Sequence, residues 1–215
     1  MTDNKENKDN KENQELENNN LVWSKNIDSL LAKWCDESKC YEWMHSESYD
    51  KFYHLSRKFL LIINILSALS GISNVVVGSV SFNGFQISWL FGSITIIISS
   101  INFLQDKLGY QQKAETHQRL SNSWCIIKNK IEEIVYLPYN SRKDCKTFLK
   151  MIKTDINQNI LDGNSLIPDE IKEKCYEKFN NIPNFDIPDI CGKVEHTRIY
   201  MGEQYAKIQD DKQIQ

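Results

Sequence analysis

Between Lys58 and Asp106 the chain carries no charged side chain, and no other feature of its sequence restricts the fold so severely. As a helix, the run from Phe59 to Val80 covers about 33 Å at about 1.5 Å per residue, against a bilayer core of about 30 Å. Ser81-Phe82-Asn83-Gly84 interrupts it, because Asn-Gly accepts positive φ and favours a tight turn. A second apolar run extends from Phe85 to Leu104. The expectation is a hairpin with transmembrane helices over 59–80 and 85–104. A helical hairpin inside a soluble protein normally keeps charge on its outer face, and neither run has any. Nor does a chain of this size offer enough other apolar surface to wrap two such helices. The mean hydropathy of −0.51 reflects the polar flanks and leaves this local argument untouched.

The flanks set the orientation. Lys51, Arg57 and Lys58 precede the first run, Lys107, Lys113 and Arg119 follow the second, and the connecting turn is uncharged. Positive charge gathers on the cytosolic side of a membrane, so both termini are expected in the cytosol. Phe82, Phe85 and Trp89 suit the far interface, and Phe59, Phe103 and Tyr110 the near one. Residues 1–20 are almost wholly Asn, Lys, Glu and Asp, with Leu16 the one large aliphatic side chain. Such a stretch buries too little to offset chain entropy and is expected to be a disordered polar arm. It also has no apolar core of a cleavable signal, so the first span is expected to direct insertion and remain.

Order is expected from Leu21. Trp23, Ile27, Leu30, Leu31 and Trp34 share one face of an N-terminal amphipathic helix. A second helical stretch carries Tyr41, Trp43, Met44, Tyr49, Phe52 and Tyr53 to the edge of the first span, as packing and interfacial aromatics. Beyond the second span the helix is expected to continue to Leu137, with Gly109 its one soft point and Pro138 its stop. His117, Leu120, Trp124, Ile127, Ile131 and Ile134 hold heptad spacing there. That seam is a candidate coupling element, paired either with the Trp23–Trp34 face of the same chain or with neighbouring subunits.

Within the spans, polar and small residues form two stripes. Asn64, Ser67, Gly71, Asn74 and Gly78 recur at three- and four-residue intervals along the first, and Ser88, Gly92, Thr95, Ser99 and Asn102 along the second. Small residues let helix backbones approach and amides hydrogen-bond across the contact, so close packing explains such stripes. Packing is the first reading; a polar pathway also explains them, provided several copies enclose it. Both readings stay open, and they are compatible if one stripe closes the hairpin while the other faces a central axis.

Residues 139–215 read as a small helical C-terminal appendage with a polar tail. Ser141 is the expected N-cap of a helix bearing Cys145, Phe148, Leu149, Ile152, Ile156 and Ile160, ended by Asp162-Gly163-Asn164. Pro168-Asp169-Glu170 opens another, and Asn180 to Gly192 reads as loop.

Catalytic chemistry finds no foothold. The six cysteines, at 35, 40, 125, 145, 175 and 191, lack metal-knuckle spacing and fall on the expected cytosolic side, where thiols stay reduced. His45 and His117 read as hydrogen-bonded packing residues rather than ligands or bases. No phosphate-cradling glycine loop or nucleophile elbow occurs. The acidic balance, with no basic patch, speaks against a nucleic-acid partner. No cofactor, metal ligand or catalytic residue is assigned.

Trp43-Met44-His45 with Tyr49 precedes a hairpin whose first span contains Leu66-Ser-Ala-Leu-Ser-Gly71-Ile-Ser-Asn74, and Lys113-Ala-Glu-Thr-His117 with Leu120, Trp124 and Ile127 follows the second. In this arrangement residues 27–137 resemble the SLATT family, two-transmembrane effector domains associated with nucleotide-second-messenger and SLOG systems. The resemblance implies a non-catalytic membrane effector that oligomerises into a pore when a linked cytosolic sensor fires. The whole chain is therefore expected to be an all-α, two-pass membrane protein, with a SLATT-like unit over 21–138 and homo-oligomeric. The alternative is a non-conducting, membrane-anchored adaptor or structural component.

Overall fold

The computed structural model describes the backbone of residues 21–76, 81–82, 85–86 and 88–192, and the side chains of 21–71 and 92–192. The expected polar arm, the tail from residue 193, Gly78 and the Asn83-Gly84 turn lie outside the described residues. The described residues are all-α apart from a ladder of two-residue strands. α1 runs from Lys25 to Val76, 52 residues without interruption. Two helical stretches were expected before the hairpin, but one rod contains both of them and the first apolar run. The reason is local: from Lys25 to Ser70 the sequence holds no proline or glycine to break the backbone hydrogen-bond ladder.

β1 (Ser81–Phe82) and β2 (Phe85–Gln86) pair antiparallel, Phe82 opposite Phe85, on either side of the expected turn. The second helix therefore starts later than residue 85. α2 spans Ser88–Leu108 and α3 Tyr110–Val135. The expected continuous exit helix is thus divided at Gly109, which sits in the left-handed region at φ 58° and ψ 35°. Only glycine takes that conformation without a Cβ penalty, so the soft point is a true joint.

α1 lies antiparallel against α2 and then α3: Ser70 meets Thr95, Phe59 meets Tyr110, His45 meets His117 and Asp28 meets Arg142. The α1–α3 seam is largely apolar, with Ile27, Leu31, Cys35, Tyr41 and Met44 buried from the α1 side beside His45. Leu30, expected on this face, is 39% exposed because the seam's drift along α1 turns it outward.

α4 (Cys145–Gly163) is capped by Asp144, whose carboxylate accepts the Thr147 amide at 2.8 Å. Ser141, the expected cap, instead ends a 3₁₀ turn over Tyr139–Ser141, because Pro138 starts that turn before the helix can begin. α5 (Asp169–Phe179) opens after Pro168 with Asp169 and Glu170 at its positive end. The stretch expected as loop also holds a 3₁₀ turn, Asp189–Cys191. One core joins these pieces: Leu31, Met44, Trp124, Ile131, Ile152, Ile171 and Ile187 belong to a single cluster. Residues beyond Pro138 therefore complete the core of the α1–α3 pair.

Arg142 fastens the end of that pair. Its guanidinium bonds Asp28 at 2.5 Å and the Leu137 and Val135 carbonyls at 2.8 and 3.1 Å. It lies over the Trp23 and Tyr139 rings at 5.0 and 4.6 Å. One cation thus satisfies the last carbonyls of α3 and pairs an acid in the first turn of α1.

Candidate functional site

All six residues of the candidate seam, His117, Leu120, Trp124, Ile127, Ile131 and Ile134, are buried. Their partner is α1 of the same chain. The Tyr41 ring stacks on Trp124 at 4.5 Å and 11°. Phe52 stacks on His117 at 5.5 Å and 11° and approaches Tyr110 at 6.1 Å; Tyr110 in turn lies 5.7 Å from Phe59. A column of rings therefore runs from the middle of the core to the first residue of the uncharged run.

The two histidines form the one buried polar joint of that column. Their Nδ1 atoms stand 2.8 Å apart, so one must donate and the other accept. The Leu166 backbone beside His117 favours its protonated form. His45 Nε2 is buried with no partner. Burial, followed by the nearby His117, lowers the His45 pKa to about 3; burial lowers that of His117 to about 4. Both rings are neutral at ordinary pH. Gly163 closes the joint, since a Cβ there would lie 2.7 Å from Leu120 Cδ1 and 2.9 Å from His45 Cε1.

Cysteines dispersed in sequence also meet. Cys40 of α1, Cys175 of α5 and Cys191 are buried together, with Cys175 hydrogen-bonding to both others and Cys191 Sγ 3.7 Å from Met44 Sδ. The bond to Cys175 and then burial push the Cys191 thiol up, so it stays protonated and unreactive. Cys35 points elsewhere, to Glu132 at 3.7 Å, and burial raises its pKa to about 11. Among the described residues no three His, Cys, Asp or Glu side chains are grouped to hold a metal ion. Neither the thiol group nor the Arg142 fastening was legible beforehand, because the partners lie far apart in sequence.

The hairpin closes on aliphatic side chains. Ile63, Ser70 and Ile98 are buried between α1 and α2, with Ser70 Oγ and Thr95 Oγ1 3.4 Å apart. Most of the striped residues lie off this contact: Asn64, Ser67, Gly71, Gly92, Ser99 and Asn102 are exposed, whereas Thr95, though exposed, reaches across to Ser70. Nothing stands within 4 Å of where a Cβ would be at Gly71 or Gly92, so neither permits a close backbone approach within the chain. Asn74 and Ser88 lie in α1 and α2 but outside the residues whose side chains are described.

At about 100° per residue, each stripe is rotated from its helix's contact line by roughly 90°, in the same sense viewed from the helix's own N-terminus. In an antiparallel pair, equal rotations of that kind bring both stripes to the same side. The hairpin therefore has one polar flank, carrying Asn64, Ser67, Thr95, Ser99 and Asn102. The other flank is mainly aliphatic, with Ile62, Ile65, Leu69, Ile97 and Leu104 exposed, and carries Ser93 and Ser100 on α2. A shallow, mostly apolar groove of about 620 Å³ runs along α2 past Gly92, Thr95, Ile96, Ser99, Ser100 and Phe103. Among the described residues one helix, Lys25–Gly71 within α1, is long and apolar enough to cross a membrane. Only 11% of its most apolar stretch is buried, unlike the core helix of a soluble protein.

No family model matches the chain, and no curated protein and no solved structure matches it.

Proposed function

We propose that the chain is a two-pass membrane effector, similar to the SLATT family, whose copies assemble around a polar axis to form a pore or channel. The hairpin crosses the bilayer twice, both termini lie in the cytosol, and the helical body gates the axis without catalysing a reaction. The observation that carries this reading is the shared polar flank. In a bilayer an exposed row of amides and hydroxyls is costly unless it meets water or another protein surface. Two helices cannot enclose water, so the flank calls for further copies. Aliphatic side chains such as Leu61, Ile65 and Ile96, exposed at 61%, 52% and 68%, suit lipid on the remaining sides. A cytosolic sensor protein acting on the body is the partner that the family resemblance suggests.

The test is reconstitution of the full chain into dye-loaded vesicles, with subunits counted in the same sample. Release by a defined oligomer is expected. Replacing Asn64 and Asn102 together with leucine should suppress release by at least an order of magnitude while insertion remains normal. Well-inserted wild-type protein that releases no dye would leave the membrane-anchored adaptor as the reading that stands.

A further inference from the structure

The joint at Gly109 opens onto a groove of about 450 Å³ between α1, α2, α3 and the turn after α4. Phe52 and His117 line its inner side, Leu166 its rim, and Lys107 and Lys113 flank the joint. This is the size of a small-molecule site. The groove lies where the uncharged run ends, since Asp106 is the first charged residue after it.

Its electrostatics are one-sided. The stem of Lys113 crosses the Phe52 and Tyr110 rings, with Nζ 5.6 and 5.8 Å from their centroids, and Lys107 Nζ lies 5.9 Å from Phe103. Among the described residues neither lysine has a carboxylate partner, and neither do Arg57 and Lys58, which the Phe59–Tyr110 contact brings level with the joint. Other charges nearby are already engaged: Lys51 pairs with Glu170, Arg119 with Asp162, and Glu115 accepts from Gln111. Asp106 lines the groove and offsets one cation. The negative end of α2 and the positive end of α3 meet at the joint, so the helix ends add little and the lysines carry the charge. Both ammonium groups rest on aromatic faces beside the groove, within reach of an anion seated in it.

We propose that this groove binds the phosphate of an anionic phospholipid headgroup, with Lys107 and Lys113 as its charged ligands. The assignment rests on the membrane reading above, which puts the end of the uncharged run at the phosphate level of the cytosolic leaflet. A lipid seated there would touch both helices that meet at the joint, and so would report leaflet composition to the hairpin.

The experiment uses the full chain in detergent, titrated with short-chain phosphatidylglycerol, phosphatidylcholine or inorganic phosphate, with bound species counted by native mass spectrometry. Phosphatidylglycerol should be retained in preference to phosphatidylcholine, and inorganic phosphate should not displace it. The Lys107→Gln/Lys113→Gln variant should retain it roughly 30-fold more weakly, given the usual contribution of basic residues at an anionic surface. Lys150→Gln/Lys153→Gln, on exposed positions of α4, should bind as wild type does. Equal retention by the two variants would overturn the site, and displacement by inorganic phosphate would overturn its assignment to lipid. Flotation of each protein with neutral phosphatidylcholine vesicles reads the membrane reading separately: failure of the wild type to float sinks that reading, whereas normal flotation with no anionic preference sinks this proposal alone.

Discussion

Two imidazoles with Nδ1 atoms 2.8 Å apart can share one proton but cannot both be cations. The folded chain therefore refuses protons that the unfolded chain accepts. Above the ordinary histidine pKa of 6.5 both rings are neutral in either state and the pair costs nothing. Below it the unfolded histidines charge first, and stability falls until the folded values of about 3 and about 4 are reached. At about pH 5 the expected loss is about 2 kcal/mol per histidine, from a gap of about 1.5 units to the ordinary value. Urea unfolding in detergent at about pH 7 and about pH 5 measures it, and His45→Gln should roughly halve the slope. Equal stability at the two pH values would show that the pair is already solvated. The motifs around His45 and His117 were visible in the sequence, yet their meeting was not, because 72 residues separate them. Gly163 was read as a helix end; that it also seats the His45 ring depends on a contact no local pattern records.

At the scale of elements, the heptad seam was the most legible feature. Its apolar residues recur at fixed intervals, and all six are buried against α1. What spacing alone left open was the partner, which the opposing row on α1 decides. Trp124 stacks on Tyr41, and its indole N–H has no hydrogen-bond partner. Trp124→Phe should therefore keep the fold. Trp124→Asp would bury an unpaired carboxylate, costing several kcal/mol. In vesicles Trp124→Asp is expected to insert normally but to lose its subunit number or its dye release. The control is Asn129→Asp, at an exposed position; Lys128 is less suitable because it pairs with Glu42 at 2.7 Å. Wild-type assembly and release from Trp124→Asp would make the seam a passive tether. The polar stripes were legible as periods, but their common flank was not. It follows from Ile63, Ser70 and Ile98 taking the contact, and similar aliphatic residues occur all round both helices.

The whole molecule reads as a helical body built onto one end of a long apolar hairpin, and sequence conveyed this division well because charge marks it so sharply. It conveyed less well that the C-terminal helices share the body's core, since their partners lie on α1 and α3 rather than nearby in the chain. The proposed two-pass topology makes a clear prediction about sidedness. Tags at either terminus should resist protease added outside intact cells, whereas a reporter inserted at Asn83-Gly84 should be cut. Cleavage of both terminal tags from outside would reverse the orientation and remove the cytosolic body from the proposal.

The unequal construction of the two legs has a mechanical consequence. α1 is a mast about 78 Å tall, at about 1.5 Å per residue, and the leg beside it is a boom with a single knuckle at Gly109. A push on the boom's lower half can lengthen neither leg. In the proposed assembly it would instead bend the knuckle, swinging the boom's share of the polar flank relative to the mast's.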